Sequence, residues 1–249
     1  MKRFIPAIAL AFLLASCGRS PIPSGQEHVT ASSSDSSVSS VSSVSFASSL
    51  SSSSPSLSPL PLSVASLRVP FSPQAPSANW DALHEESCEE MSLIMVHHFL
   101  AGTDLTREQA EQEILDLVQW ETEHGYGMDV TVAELGEIAE QYYGHKPRII
   151  ENPTTDDLKR LLAGGQPVIV PAAGRMLGNP YFSGDGPWYH MLILKGYGWR
   201  NFITNDPGTR RGEGYEYKFS TLHTAIHDWT GVREEIQKGR SAVLVLEKF

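Results

Sequence analysis

Cysteine is nearly absent. The 249-residue chain has two, Cys17 and Cys88. Basic charge is short as well: 19 Lys and Arg stand against 29 Asp and Glu, for a formal net charge of -10. That balance argues against a nucleic-acid partner, which needs a basic surface. Long apolar runs are missing too. The stretch "FIPAIALAFLLA" at residues 4–15 is shorter than a membrane span requires.

That stretch follows Lys2 and Arg3, so residues 1–16 read as an export signal. It ends in "LASC" at residues 14–17, which resembles a bacterial lipobox. The resemblance implies lipidation of Cys17 and a chain anchored to the cell envelope. An ordinary signal cleaved near Ser16 is the alternative. With Cys17 lipidated, Cys88 is the one thiol left and no internal disulfide can form; a lone thiol in an exported protein is either reactive or buried.

Between positions 31 and 60, 18 of 30 residues are serine. Such a stretch buries too little apolar surface to offset its ordering entropy. Residues 17–66 therefore read as the lipidated cysteine and a flexible tether, and residues 67–249 as one folded domain, long enough to hold a sizeable core.

Within the domain, caps and periods mark the elements. Ser87-x-x-Glu90 reads as a capping box with Cys88 as the first helical residue. Met91, Met95 and Phe99 follow on one stripe while Leu93, Ile94 and Val96 cover other sides, so this helix is expected to be buried along most of its length. Thr106-x-x-Gln109 and Thr131-x-x-Glu134 open two more helices, and residues 155–163 form a short fourth ending at Gly164-Gly165. Strand-like runs then dominate: "PVIVP", "HMLILKG", "NFITND", "EGYEYKF" and "AVLVLE", interrupted by a helix in "TLHTAIHDW". Helices first and strands later predict an α+β domain, N-terminal helices packed on a C-terminal antiparallel sheet.

Cys88 sits in "HEESCEEMSLIMVHH", among four glutamates. A helix N-terminus lowers a thiol pKa and supplies a free N–H to an oxyanion, while neighbouring carboxylates raise that pKa. The thiolate therefore needs a cationic partner. His97 and His98 lie roughly 14 Å down the helix and are expected to be solvated or packed. His223 and His227 are spaced as in helical metal pairs, but no Glu follows His223 and no third ligand is evident, so no metal is assigned. His190 is the remaining candidate. A bulge-free hairpin centred on Gly198 sets it opposite Asp206, about 5 Å away between Cβ atoms, on the face that Asn205 does not share. A carboxylate there orients the imidazole and stabilises its cation. A strand-end histidine near a turn aspartate is the alternative.

"FSPQAPSANWDALHEESCEEMSLIMVHHFL", "GNPYFSGDGPWYHMLIL" and "FITNDPGTRRGEGYEY" resemble, in order, the C39-like peptidases, bacterial proteins with a papain-like fold. The resemblance covers residues 68–249. It implies a Cys-His-Asp arrangement, with Cys88 as nucleophile, His190 as base and then acid, and Asp206 as the orienting residue. Gln74 matches the glutamine that assists the oxyanion hole, 14 residues before Cys88. It also implies a peptide or protein substrate and no cofactor. We expect a monomer that meets a membrane only through its anchor. A catalytically silent module of the same fold, displayed on that anchor, is the competing function. A metal site using His190, Asp206 or the 223/227 pair is a third.

Overall fold

The computed structural model describes residues 59–61 and 66–248. The export signal, Cys17 and the serine-rich segment up to residue 58 lie outside the described residues. Among those described, no helix is long and apolar enough to cross a membrane.

Three helices come first: α1 (Cys88–Ala101), α2 (Arg107–His124) and α3 (Val132–Tyr143). Then come β1 (His145–Glu151), α4 (Thr155–Ala163), β2 (Val168–Ala173), α5 (Gly174–Leu177), β3 (Tyr189–Tyr197), β4 (Asn201–Asn205), β5 (Glu213–Lys218), α6 (Phe219–Ala225) and β6 (Ala242–Lys248). The six strands form one sheet in the order β1-β6-β2-β3-β4-β5, antiparallel at every pairing.

The sheet is covered on both faces, which is why its central strands read as unbroken apolar runs. Successive side chains point to opposite faces. Met191 and Ile193 of β3 join Met91, Ile94, Ile114 and Leu135 of α1–α3 in one core. Leu192 and Leu194 face the other way, against Leu158 and Leu162 of α4 and Leu222 of α6. Helix α1 is buried from Cys88 to Val96, as its all-round apolar pattern predicts.

The capping boxes at Thr106/Gln109 and Thr131/Glu134 are both formed. The one at Ser87 is not. Ser87 has φ -90° and ψ 36° instead of extended backbone, and its hydroxyl donates back to the Leu83 carbonyl at 2.8 Å. Residues 81–87 already form turns, so the chain enters α1 without the geometry a box requires. Glu90, freed from capping, is buried.

The β3–β4 hairpin also differs from its expected register. Tyr197 pairs with Phe202 across the four residues 198–201, and a bulge at Lys195 shifts the ladder so that Ile193 faces Asn205. The ladder ends there, so His190 and Asp206 are not cross-strand partners. Strand β1 was not among the expected strands; it is an edge strand, where the missing N–H of Pro147 is tolerated.

Candidate active site

The N-terminus of α1 meets one end of β3 in a cleft of about 280 Å³, lined among others by Gln74, Cys88, Phe182 and His190. Three segments distant in sequence supply these residues. Asn205, which faces away from the cleft, donates to the Val69 and Pro70 carbonyls at 3.1 and 3.0 Å and so pins the entering chain to β4. The Gln74 N–H donates to the Pro207 carbonyl at 2.9 Å, which fixes the loop of Gln74 beside the turn after Asp206.

His190 is 1% exposed, and its Nε2 lies 2.7 Å from Asp206 Oδ1. The bulge changed the register but not the outcome, because Asp206 reaches the ring from the turn beyond the strand. The Gly208 N–H also donates to Oδ1, at 3.0 Å. The other oxygen, Oδ2, accepts from Asn179 Nδ2 at 3.1 Å and from the Tyr217 hydroxyl at 2.5 Å. Burial alone would raise the Asp206 pKa. The His190 charge and the hydrogen bonds of His190, Tyr217 and Gly208 outweigh it and hold the carboxyl below its ordinary range.

Asn179 and Tyr217 were not singled out from sequence. Both lie inside the quoted motifs, but nothing in their spacing announces a shared partner. Gly208 is required by space: a Cβ there would sit 2.7 Å from His190 Cε1 and 3.0 Å from Phe182 Cε1. The Phe182 ring packs edge-on to the imidazole, with centroids 5.2 Å apart.

Cys88 is buried, and its thiol donates to Glu89 Oε2 at 2.9 Å and not to His190. Burial, then the charge and hydrogen bond of Glu89, then the charge of Glu90, push the thiol pKa well up; the Met191 N–H acts the other way. Glu89 is itself pushed well up, first by burial and then by Glu90, and its Oε1 accepts from the Val130 N–H at 3.3 Å. Gln74 Nε2 donates to the carbonyls of His84 and Glu85, both at 2.9 Å, while its Oε1 is buried and has no partner among the described residues. Both amide hydrogens are therefore committed to the chain that leads into α1.

The other histidines are tied elsewhere. His97 stacks on Tyr143 at 4.0 Å and contacts His145, and His98 meets Thr103 and Glu113. His223 lies 2.9 Å from the Pro153 carbonyl, and His227, beyond the end of α6, lies 3.0 Å from the Gly239 carbonyl. Those two rings are thus not presented together on one helix.

A family model described as "Peptidase_C39 like family" matches residues 66–239. The chain belongs to that family. A solved structure from Bacillus anthracis, provisionally described as a C39-like peptidase, superposes with a TM-score of 0.50 at 17% identity, over 75% of this chain and 98% of that one. That likeness supports the papain-like α+β fold expected from the sequence. No curated protein matches the chain.

Proposed function

We propose that the chain is a cysteine peptidase that cuts an amide bond through Cys88, His190 and Asp206. The observation that carries this reading is the buried 2.7 Å His190–Asp206 pair, opening on the same cleft as the thiol at the head of α1. The Asp206 bond uses Nε2, so Nδ1 is the nitrogen that takes the thiol proton. Sγ attacks the substrate carbonyl carbon, and its proton passes to Nδ1. The tetrahedral oxyanion is met by the Cys88 N–H, which has no intrahelical acceptor. Help from Gln74 would require it to give up a bond to His84 or Glu85. The C–N bond then breaks, His190 returns the proton to the leaving amine, and a thioester remains. Water attacks the thioester, with His190 as base, to release the acid and restore the thiol.

One observation favours the silent module instead. The resting thiol is buried, turned toward Glu89, and burial and Glu89 push its pKa well up. Turnover of a peptide library decides between them. Cys88→Ala and His190→Ala should each abolish cleavage. Asp206→Asn should leave a residue of activity, and the first two losses should not add, because the groups act as a unit. Full activity in Cys88→Ala would end the peptidase reading.

We further propose that the domain is held at the cell envelope by lipid on Cys17, through the serine-rich tether. The lipobox-like "LASC" supports this. Mass spectrometry of the mature N-terminal peptide should find a diacylglyceryl or triacyl mass on Cys17. An unmodified peptide starting elsewhere excludes the anchor.

A further inference from the structure

Beside the thiol cleft lies a groove of about 570 Å³, lined among others by Trp80, Tyr181, Arg210 and Arg211. Trp80, Ser183 and Gly208 line both, so the two adjoin. Their charges differ in sign. Apart from His190, the charged residues of the cleft are Glu85, Glu86, Asp129 and Arg233, and Arg233 Nη2 is held by Glu86 at 3.1 Å and Asp129 at 3.4 Å. The charged residues of the groove are Arg210 and Arg211. Both are exposed. The arginine ion pairs among the described residues belong to Arg148, Arg160, Arg233 and Arg240, not to these two.

The arginines ride on the turn that sets Asp206 and Gly208 against His190. The Asp206 N–H donates to the Gly212 carbonyl at 3.0 Å, and the Gly212 N–H to that of Thr209 at 3.1 Å. The Arg211 N–H donates to the Thr209 hydroxyl at 3.2 Å. A Cβ on Gly212 would collide with the Asp206 carbonyl, so the turn is closed tightly. It therefore presents both cations at a fixed place next to the cleft. Trp80 and Tyr181 beside them are 37% and 44% exposed. The Arg211 guanidinium carbon lies 4.8 Å from the centre of the Tyr181 ring. A guanidinium that stacks by its face keeps its edge of N–H donors for an acceptor. In a chain of net charge -10, two such groups make a local positive field. Paired N–H donors between aromatic walls suit a carboxylate, whose two oxygens accept in parallel.

We propose that this groove is a subsite for a carboxylate of the peptide cut in the adjoining cleft, carried by an aspartate or glutamate side chain or by the peptide's own C-terminus. The proposal rests on the peptidase reading of that cleft. Arg210 and Arg211 bind the carboxylate, Trp80 and Tyr181 cover the chain that carries it, and the acidic lining of the cleft repels a second carboxylate there. Charge thus sets the register in which the peptide lies across Cys88.

Calorimetry on the full chain carrying Cys88→Ala tests the site without any need for turnover. The probes are acetyl-tetraalanine as free acid and as amide, and the amides in which each alanine in turn is replaced by glutamate or by glutamine. At least one carboxylate-bearing peptide should bind at least about fivefold more tightly than its neutral counterpart, the gain of an ion pair that still meets water. Added salt should shrink that gain. Tightening by the free acid alone puts the peptide's C-terminus in the groove; tightening by a glutamate puts a side chain there. Arg210→Gln with Arg211→Gln should abolish the preference. Arg210→Glu with Arg211→Glu should reverse it, so that the neutral counterpart binds better, a result that mere loss of structure does not give. Equal binding of charged and neutral peptides, or a preference that survives both double substitutions, overturns the subsite. Cleavage assays with the unsubstituted chain separate this from the peptidase reading. Turnover with no preference for a carboxylate removes the subsite and keeps the peptidase. Carboxylate-dependent binding without turnover of any of these peptides does the reverse.

Discussion

A thiol that donates its hydrogen bond to a neighbouring carboxyl, as Cys88 does to Glu89, is an unusual resting state for a proposed nucleophile. The Glu89 carboxyl takes the thiol's hydrogen bond at 2.9 Å and, with burial, disfavours the thiolate. A helix N-terminus contributes only about 1 kcal/mol in the opposite direction, too little to offset a buried carboxylate in contact. In the proposed reaction, proton transfer to His190 then accompanies attack instead of preceding it. The consequence is measurable. Alkylation of Cys88 by iodoacetamide should rise only above the ordinary thiol range, near pH 8.5. Glu89→Gln keeps the side chain's size, removes a group that becomes charged once it ionises, and should move the midpoint downward. An unchanged midpoint in Glu89→Gln would mean that burial alone sets the thiol. The glutamates around Cys88 were visible in the sequence, and so was their sign. Their division of labour was not: Glu89 on the thiol, Glu90 on Glu121 and Glu86 on Arg233 follow from packing against α2 and the 233–238 turn, which no local pattern records.

At the scale of elements, what could be read from sequence was what local chemistry decides. The boxes at Thr106 and Thr131 formed because each preceding residue is free to be extended, and each puts the hydroxyl on the third helical N–H. Ser87 carries the same letters and fails, because a turn from residue 81 onward dictates its backbone. The hairpin shows the same division. Its two strands were legible as apolar runs and its turn as a glycine-containing gap. The bulge at Lys195 was not, since an extra residue leaves no compositional mark. His190 and Asp206 still meet, because both were placed on the same face by parity, and the turn after Asn205 brings the carboxylate back over the strand end. Asn179, from the loop after α5, and Tyr217, from β5, complete the carboxylate's hydrogen bonds. Strand β1 went unread in the sequence; it carries Pro147, whose missing N–H is tolerated because the strand is an edge.

Across the whole molecule, the acidic excess does not distribute evenly. Glu86, Glu89, Glu90, Glu121 and Asp129 gather at the head of α1, and the buried ones among them make stability depend on pH. Burial, followed by the charge of Glu90, raises Glu121 in the folded state to about 10 from an ordinary 4.5. A group whose folded pKa is raised binds more protons folded than unfolded above pH 4.5. Its stabilisation is complete below that value and declines as pH rises toward 10. Each such group removes up to about 1.4 kcal/mol per pH unit within its window. Glu90, raised to about 7, has finished its share by neutral pH. Two histidines act in the opposite direction at lower pH. Burial first, then the charges of His145 and His98, depresses His97 to about 4, and burial depresses His145. Both favour the neutral ring in the fold, so stability gains as pH rises through about 6.5, and that gain is complete above it. Asp206 is depressed, so its contribution is lost only in strong acid, as pH falls through its folded pKa. Between pH 7 and 9, then, Glu121 is still changing, together with Glu89, which burial also pushes well up, and Cys88 near the top. Urea unfolding should show stability falling across this interval by on the order of 2 kcal/mol. Glu121→Gln cannot ionise, so its profile should fall less steeply over the same range and lie above the parent at pH 9. A parent profile that rises between pH 7 and 9, or a Glu121→Gln profile with the parent's slope, would place the strain of the acidic cluster elsewhere.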